Sequence, residues 1–235
     1  MIEEQFGRLK GANWFIVAHK KPVLILGIGG IGSNLAYNLA RIGCELHLFD
    51  SDSVEFINLA GQMYKQSDIG KNKGFALKDT LRLFSPATDV FTNNKYEVDS
   101  MTNDIVFCGF DNMEARKLAF DNWVAYTKLE EVDESKCYFC DGRLTSQLLQ
   151  IYSIPGNKQD LIDKYQKESL FNDSVVEELD CTFKQTTFVA SLIAGFMTSF
   201  FTNWLSNVYT DINCNEVPYF FQYFTPLNIT QIDNL

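Results

Sequence analysis

Apolar and polar positions alternate along the first half of the chain in two distinct periods. Apolar runs at residues 23–27, 45–49 and 105–108 are typical of buried strands. Residues 31–41 and 73–84 instead repeat their apolar positions with the period of a helix. Strands that alternate with helices in this way predict a parallel sheet covered by helices on both faces, and therefore an α/β fold.

The second half of the chain follows a different pattern. Residues 136–154 are typical of two adjoining strands, and a polar, acidic stretch follows at 156–180. A long apolar run then occupies residues 188–205, and an aromatic segment, "VPYFFQYFTPL", lies near the end of the chain. We expect the later strands to be antiparallel and to extend the parallel sheet.

The apolar run at 188–205 approaches the length that spans a membrane. Serine, threonine, glycine and asparagine interrupt it, so we interpret it as a buried core helix or a dimer helix. The first residues, "MIEEQFGRLKGANWF", lack the basic start and apolar core of a signal peptide. The six cysteines are scattered along the chain, which favours a reducing, cytoplasmic location over a disulfide framework.

Composition and charge narrow the class of protein further. The chain of 235 residues is 46% hydrophobic and 14% aromatic, as expected for a globular protein with a sizeable core. Its formal net charge of -10 argues against a nucleic-acid binder that follows phosphates with lysine and arginine.

A glycine pattern lies where the first predicted strand meets the first long helix. Gly27, Gly29 and Gly32, with Gly30 beside them, match G-x-G-x-x-G, which brings the backbone close to a phosphate at a helix N-terminus. Asp50 ends the next strand, where a carboxylate accepts hydrogen bonds from ribose hydroxyls. The pattern predicts a Rossmann-like nucleotide site and leaves NAD and ATP as alternatives.

Three segments beyond the glycine loop favour ATP. The stretches "DSDSVEFINLAGQ", "SDIGKNKG" and "FCGFDNMEARKLA" resemble, in order and spacing, the ubiquitin-activating-type adenylyltransferases of the ThiF, MoeB and HesA superfamily. This resemblance implies adenylation of the C-terminal glycine of a ubiquitin-like or sulfur-carrier protein with Mg²⁺ and ATP. In some members the acyl group then passes to a cysteine thiol.

The resemblance also implies residue roles. Lys73 would reach the ATP phosphates, Asp111 would hold Mg²⁺, and Arg116 would steady the loop of Asp111. Arg8 matches an N-terminal arginine that family members lend across a homodimer interface. The residues implied to contact the nucleotide, besides Lys73, are Gly27, Gly29, Gly30, Gly32, Asp50, Asp52, Asn58, Gln62 and Asn112.

These roles agree with the chemistry of adenylation. Attack of a carboxylate on the α-phosphorus builds charge on phosphate oxygens, and lysine, arginine and Mg²⁺ stabilise that charge. A simpler interpretation of Lys73 and Arg116 is solvated surface charge. For Asp111 the alternative is the N-cap of the helix that begins "MEARKLAF".

The same resemblance implies one domain over residues 1–235. An N-terminal arm covers 1–20 and a nucleotide-binding half covers 21–135. The second half, 136–235, would bind the carrier and form the dimer, with a flexible crossover at 156–182.

Gly61 departs from the family pattern, which has an arginine just before the glutamine. Glycine cannot clamp a phosphate as arginine does. Another cation could substitute, with Lys65, Lys71 and Arg8 of a dimer partner as candidates. Otherwise the enzyme is slow or has a relocated clamp, or the chain is a non-catalytic partner subunit.

The cysteines supply two further hypotheses. Cys181 lies before the long apolar helix, in a segment comparable to the one that carries the thioester cysteine in family members, although a structural thiol is the alternative. Cys137 and Cys140 form C-x-x-C, but no second pair accompanies them, and strand alternation would point their thiols in opposite directions. The pattern does not favour zinc.

The leading hypothesis is an ATP-dependent adenylyltransferase that forms a homodimer and acts on a small carrier protein ending in glycine. Neither nucleic acid nor a membrane is expected as a partner. A non-catalytic subunit of such an enzyme and an NAD(P)-dependent oxidoreductase are the alternatives. Arg143 either orients the substrate or forms an ordinary salt bridge.

Overall fold

An eight-stranded sheet runs through the whole structure, a computed structural model that describes residues 2–171, 186–210 and 216–233. Its strands are β1 (Pro22–Leu26), β2 (Glu45–Phe49), β3 (Val90–Asn93), β4 (Ile105–Cys108), β5 (Tyr138–Leu144), β6 (Leu148–Pro155), β7 (Phe220–Phe224) and β8 (Ile229–Asp233). Their order is β3-β2-β1-β4-β5-β6-β7-β8. The strands from β3 to β5 pair in parallel, and those from β5 to β8 pair antiparallel.

Helices cover both faces of this sheet. They are α1 (Ile2–Gln5), α2 (Phe15–Ala18), α3 (Gly30–Ile42), α4 (Lys73–Phe84), α5 (Met113–Thr127), α6 (Gln159–Glu168) and α7 (Thr187–Tyr209). Buried side chains of α3, α4 and α7 form one core, and those of α5 and α6 form a second core on the other face. Within β1, Val23 and Ile25 join the first core while Leu24 and Leu26 join the second, because successive strand residues face opposite sides.

The predicted fold class is confirmed. The structure has the expected α/β architecture: a mostly parallel, Rossmann-like first half with helices on both faces, extended by antiparallel strands. Within 156–182, which was expected to be a flexible crossover, Gln159–Glu168 instead forms α6, and residues 172–182 lie outside the described part of the chain. Leu161, Ile162 and Tyr165 lie on one face of this polar helix and are buried against the sheet, which anchors it.

The long apolar run is a helix of the core. Val189, Ile193 and Met197 of α7 are buried, and they belong to the same core as residues of α3. By length and composition α7 could cross a membrane, but half of its most apolar window is buried inside the protein. The interpretation of a buried helix is therefore supported, while Phe188 and Leu192 remain exposed on its outer face.

The two thiols of the C-x-x-C pair lie on opposite faces of the sheet, as strand alternation predicts. Cys137 belongs to the core beside α5 and α6, and Cys140 to the core beside α3 and α7. Burial raises the pKa of Cys137 to about 12, so this thiol stays protonated at neutral pH. Within the described residues, no group of three or more His, Cys, Asp or Glu side chains is placed to hold a metal ion.

Candidate functional site

A cleft of about 910 Å³ opens at the carboxyl ends of the parallel strands. It is lined by the turns that follow β1, β2, β4 and β5. The chain passes from β1 to β2 on one side and reaches β4 on the other, so the cleft lies at the switch point of the sheet. Ligands of open α/β sheets bind at such a point.

The glycine loop forms the floor of this cleft. Gly27 has φ +80°, and a Cβ there would lie 3.0 Å from the Gly109 carbonyl. A Cβ on Gly32 would lie 1.9 Å from the Gly27 carbonyl oxygen, so glycine is required for the loop to close onto α3. Gly27, Gly29 and Gly30 line the cleft, whereas Gly32 serves the packing of the turn.

The N-terminus of α3 presents its positive end to the cleft. The helix begins at Gly30 and has no acidic residue in its first turn, so its dipole is not neutralised there. The backbone N–H groups of such a helix end bind phosphate. This end of the cleft therefore suits an anionic ligand.

Asp50 sits beside the glycine loop at the end of β2. Its Oδ2 accepts from the backbone N–H of Ile28 at 3.0 Å, and its Oδ1 accepts from that of Asp52 at 2.9 Å. Burial raises the pKa of Asp50 above its usual value, and the nearby Lys73 ammonium opposes that shift. These bonds fix the carboxylate in position. Ribose hydroxyls of a bound nucleotide could donate further hydrogen bonds to it.

Lys73 is the first residue of α4, and its charge reaches into the cleft. Its Nζ lies 2.9 Å from Oδ2 of Asp52 and 3.9 Å from Oδ2 of Asp50, with the lysine side chain 9% exposed. Asn72 caps α4 by accepting from the N–H of Gly74 at 2.9 Å, which holds the start of the helix in place. An ammonium has three donors, so it can serve these carboxylates and a phosphate together.

Asp111 and Asn112 follow β4 and line the same cleft. The alternative interpretation of Asp111 as a helix N-cap is wrong, because Asn112 caps α5 by accepting from the N–H of Ala115 at 2.8 Å. The carboxylate of Asp111 is exposed and accepts from Nδ2 of Asn112 at 3.3 Å. It is therefore open to a cation in the cleft.

Arg116 is buried rather than a solvated surface residue. It forms an ion pair with the buried Asp141 of β5 and donates to the carbonyl of Phe110, which leads into the Asp111 turn. A further bond from Nη1 to the carbonyl of Gly142 measures 3.1 Å. The structure thus places Arg116 where it holds the loop that carries Asp111.

Sequence reasoning missed Asp141 as a site residue. Its Oδ2 accepts from Nε of Arg143 at 2.7 Å and from the hydroxyl of Tyr165 on α6 at 2.9 Å. Burial alone would raise the pKa of Asp141, but the guanidinium groups of Arg116 and Arg143 outweigh it and hold the pKa below its usual value. The available signal was a charged residue inside the apolar strand "YFCDGRL".

Asn58 and Gln62 are the two expected nucleotide contacts around Gly61, and only Gln62 reaches the cleft. Gln62 lines it, and its buried Oε1 has no partner within the described part of the chain. Asn58 is not among the lining residues. Its side chain instead accepts from the N–H of Glu55 at 2.8 Å and caps a short 3-10 helix, Phe56–Ala60. A direct contact of Asn58 with the nucleotide is therefore not supported.

Two of the proposed replacements for the missing arginine are engaged elsewhere. Lys65 and Lys71 form ion pairs with the buried carboxylate of Asp68, at 3.0 and 3.1 Å. Neither lines the cleft. The structure therefore does not place either lysine where it could substitute for the arginine missing at Gly61.

Two other candidate residues lie apart from the cleft or outside the described chain. Arg8 is exposed and does not line the cleft of its own chain, so its role depends on a second copy. Cys181 falls outside the described residues.

The cleft fits a nucleotide with a magnesium ion. The helix end and Lys73 suit phosphates, Asp50 suits a ribose, and Gln62 offers an acceptor that is unpaired among the described residues. Magnesium is commonly bound by one or two carboxylates together with substrate phosphates, and the exposed Asp111 supplies one such carboxylate.

The fold and cleft define a doubly wound α/β protein with a glycine-rich loop at the switch point. The model of the ThiF family matches residues 17–230. The chain therefore belongs to the ThiF family.

Among curated proteins, the chain is similar to "ubiquitin-like modifier-activating enzyme 5" from two nematodes. It is 37% identical to the Caenorhabditis briggsae protein over 90 residues, which cover 38% of this chain and 21% of that protein. It is 32% identical to the Caenorhabditis elegans protein over 128 residues, which cover 46% and 30% of the two chains. The similarity thus spans less than a third of either relative.

Solved structures share the fold over nearly the whole chain. Escherichia coli MccB with MccA superposes with a TM-score of 0.73 at 17% identity, over 99% of this chain and 71% of that one. PaaA superposes with a TM-score of 0.70 at 18% identity, over 94% and 66% of the two chains. Identity at this level establishes the shared fold alone.

Proposed function

We propose that this protein adenylates the C-terminal carboxylate of a small ubiquitin-like or sulfur-carrier protein with ATP. The observation that carries the proposal is the convergence of Asp50, Lys73 and Asp111 on one cleft around the glycine loop. Family membership and the relatedness to ubiquitin-like modifier-activating enzymes support the same reaction class.

Each end of the nucleotide has a partner in this proposal. Asp50 accepts from the ribose hydroxyls, while the N-terminus of α3 and the Lys73 ammonium hold the phosphates. Asp111 would hold Mg²⁺, and the ion would supply positive charge to neutralise the phosphates. Arg116 keeps the Asp111 loop in place through the carbonyl of Phe110.

The proposed step joins the substrate carboxylate to AMP. A carboxylate oxygen bonds to the α-phosphorus of ATP, the bond from that phosphorus to the pyrophosphate oxygen breaks, and pyrophosphate leaves. Charge grows on the phosphate oxygens, and the fixed cations of the cleft stabilise it without reorganisation. The products are an acyl adenylate and pyrophosphate.

Several finer features belong to the same proposal. A homodimer in the cytoplasm would bring Arg8 of one copy to the cleft of its partner. After adenylation, Cys181 would accept the acyl group as a thioester with release of AMP. The exposed Phe188 and Leu192 on α7 suit a dimer face.

A non-catalytic partner subunit is the second candidate function. Gly61 stands where the family pattern has an arginine, and Lys65 and Lys71 are occupied by Asp68. In that case the chain would bind nucleotide without turning it over.

Exchange of pyrophosphate into ATP tests the proposal. Candidate ubiquitin-like proteins ending in Gly-Gly should support exchange with the wild type, and Asp111→Ala should abolish it. Cys181→Ala should leave exchange intact, since the thiol acts after adenylation. ATP binding without exchange for any carrier would favour the non-catalytic subunit, and loss of exchange in Cys181→Ala would remove the thioester role.

A further inference from the structure

The cleft extends beyond the part that the proposed nucleotide would fill. A nucleotide with its ribose at Asp50 and its phosphates at the glycine loop lies over β2, β1 and β4. The lining continues over β5 and β6 with Arg143, Thr145 and Gln150. This end of the cleft is therefore left for the second substrate, an assignment that rests on the proposed function.

Arg143 is a cation at this end of the cleft, and its guanidinium is held rigidly. Its Nε donates to Oδ2 of Asp141 at 2.7 Å, and its Nη2 donates to the hydroxyl of Tyr165 at 3.3 Å. The group stacks 4.7 Å from the ring centroid of Tyr152 and 5.8 Å from that of Phe171. A guanidinium fixed in this way loses little freedom when it binds a ligand.

Arg143 also keeps donor capacity that the protein does not use. Within the described chain, no acceptor is hydrogen-bonded to its Nη1, whereas Nη1 and Nη2 of Arg116 are bonded to Asp141 and two backbone carbonyls. Asp141 supplies one negative charge to two guanidinium groups. Within the described residues, the cluster of Arg116, Arg143 and Asp141 therefore carries one positive charge more than negative charge.

We propose that Arg143 is a specificity-determining residue that binds the terminal carboxylate of the acyl substrate. Its free Nη1 donates to the carboxylate before activation and to the acyl carbonyl oxygen afterwards. A carboxylate fits because it brings the missing negative charge and because planar guanidinium and carboxylate groups form parallel hydrogen bonds. The contacts with Asp141 and Tyr165 orient the guanidinium so that it can lie in the plane of the bound carboxylate.

A stable acyl-adenylate mimic tests this assignment. The probes are 5′-O-(diglycyl)sulfamoyladenosine, which carries the acyl arm, and 5′-sulfamoyladenosine, which lacks it. Wild type should bind the diglycyl compound more tightly, and Arg143→Lys and Arg143→Gln should lose about 10- to 100-fold of that advantage, as expected for a charged hydrogen bond. Affinity for 5′-sulfamoyladenosine should stay unchanged.

A matched control is available in Arg41, which stacks on Tyr37 at 5.3 Å outside the cleft. Arg41→Lys should bind both probes as wild type does. Arg143→Lys keeps the charge beside Asp141, so its melting temperature identifies any loss that comes from unfolding.

The outcomes separate the two proposals. An equal gain from the diglycyl arm in wild type and in both folded Arg143 variants would overturn the role of Arg143 and leave adenylation standing. If folded variants bind both probes more weakly, Arg143 would be assigned to nucleotide binding, and its proposed acyl-binding role would again be overturned. If wild type gains nothing from the arm, neither the acyl-binding role nor the proposed reaction survives.

Discussion

The partly buried carboxylate of Asp50 in the cleft and the fully buried carboxylate of Asp141 beside it have opposite surroundings. Asp50 accepts from two backbone N–H groups, with the Lys73 ammonium 3.9 Å away, and burial raises its pKa. Asp141 is shared by Arg116 and Arg143, and their charges hold its pKa low despite complete burial. The negative charge of Asp50 is thus only partly balanced by its surroundings, whereas that of Asp141 is more than balanced.

This difference indicates which carboxylate binds a ligand and which one holds neighbouring side chains in place. A carboxylate with unused acceptor capacity gains when a ligand brings further donors, as ribose hydroxyls would at Asp50. Asp141 has no such need, and it ties β5 to α5 and α6 through Arg116 and Tyr165. Asp50 is therefore assigned to binding, and Asp141 to fixing the arginines that face the cleft.

Removing the charge of Asp141 is expected to have the largest effect on stability. Asp141→Asn leaves two guanidinium groups buried together without a carboxylate, which should lower the free energy of unfolding by about 3–5 kcal/mol. Urea unfolding followed by tryptophan fluorescence measures this loss. Because the native pKa of Asp141 is lowered, its contribution is complete above the unfolded pKa and disappears as pH falls through the native pKa.

Asp121→Asn provides the control for that variant, since Asp121 pairs with Lys117 on the exposed side of α5. It should change stability by less than about 1 kcal/mol. Equal losses in the two variants would contradict the supporting role of Asp141.

At the nucleotide end, the backbone itself is the sensitive element. Gly32→Ala would place a Cβ 1.9 Å from the Gly27 carbonyl oxygen, and the resulting shift should cost about 1–3 kcal/mol of stability. Gly195→Ala on α7 meets no atom within 4 Å and should instead stabilise by about 0.5–1 kcal/mol. Thermal unfolding of both variants measures the contrast, and similar melting temperatures would show that the turn tolerates a side chain.

Removing the lysine between the two acidic residues tests the phosphate contact. Lys73→Met should weaken ATP binding about 10- to 100-fold, because a charged hydrogen bond to phosphate is lost. Lys78→Met, one turn further along the same helix and outside the cleft lining, is the control. Fluorescence titration with a labelled ATP analogue measures both, and unchanged affinity in Lys73→Met would exclude the contact.

The smallest expected effect is a change in ATP affinity with pH, which depends on Asp50 and not on Asp141. Asp50 accepts from a ribose more strongly when ionised, and its native pKa is raised, so ATP affinity should fall on acidification earlier than an ordinary carboxylate would allow. Asp50→Asn should weaken binding by about tenfold at neutral pH and remove that pH dependence. The same pH profile in both proteins would assign the titration to another group.

Most elements of the first half were predictable because they have a clear period, although the short strand β3 (Val90–Asn93) was not predicted. Residues 45–49 and 105–108 are apolar runs that form strands within those bounds, and residues 73–84 form a helix with apolar positions on one face. The helix at 159–168 was missed because few of its residues are apolar, and their contact with the sheet is a tertiary feature.

The site was predictable where the residues follow a motif. The glycine loop, Asp50, Lys73 and Asp111 all line the cleft, as their positions in sequence suggested. Asp141 and Arg143 carry no motif, and their importance arises from strand pairing and from Tyr165 on α6. Asn58 shows the opposite failure, since its motif position does not bring its side chain to the cleft.

Equilibrium binding of ATP and of NADH to the wild type and to Lys73→Met shows whether the cleft around Asp50 and Lys73 holds ATP. Titration calorimetry should give micromolar binding of ATP to the wild type, at least about tenfold weaker binding to Lys73→Met, and no heat with NADH. Micromolar binding of NADH without binding of ATP would show that the cleft serves a different nucleotide.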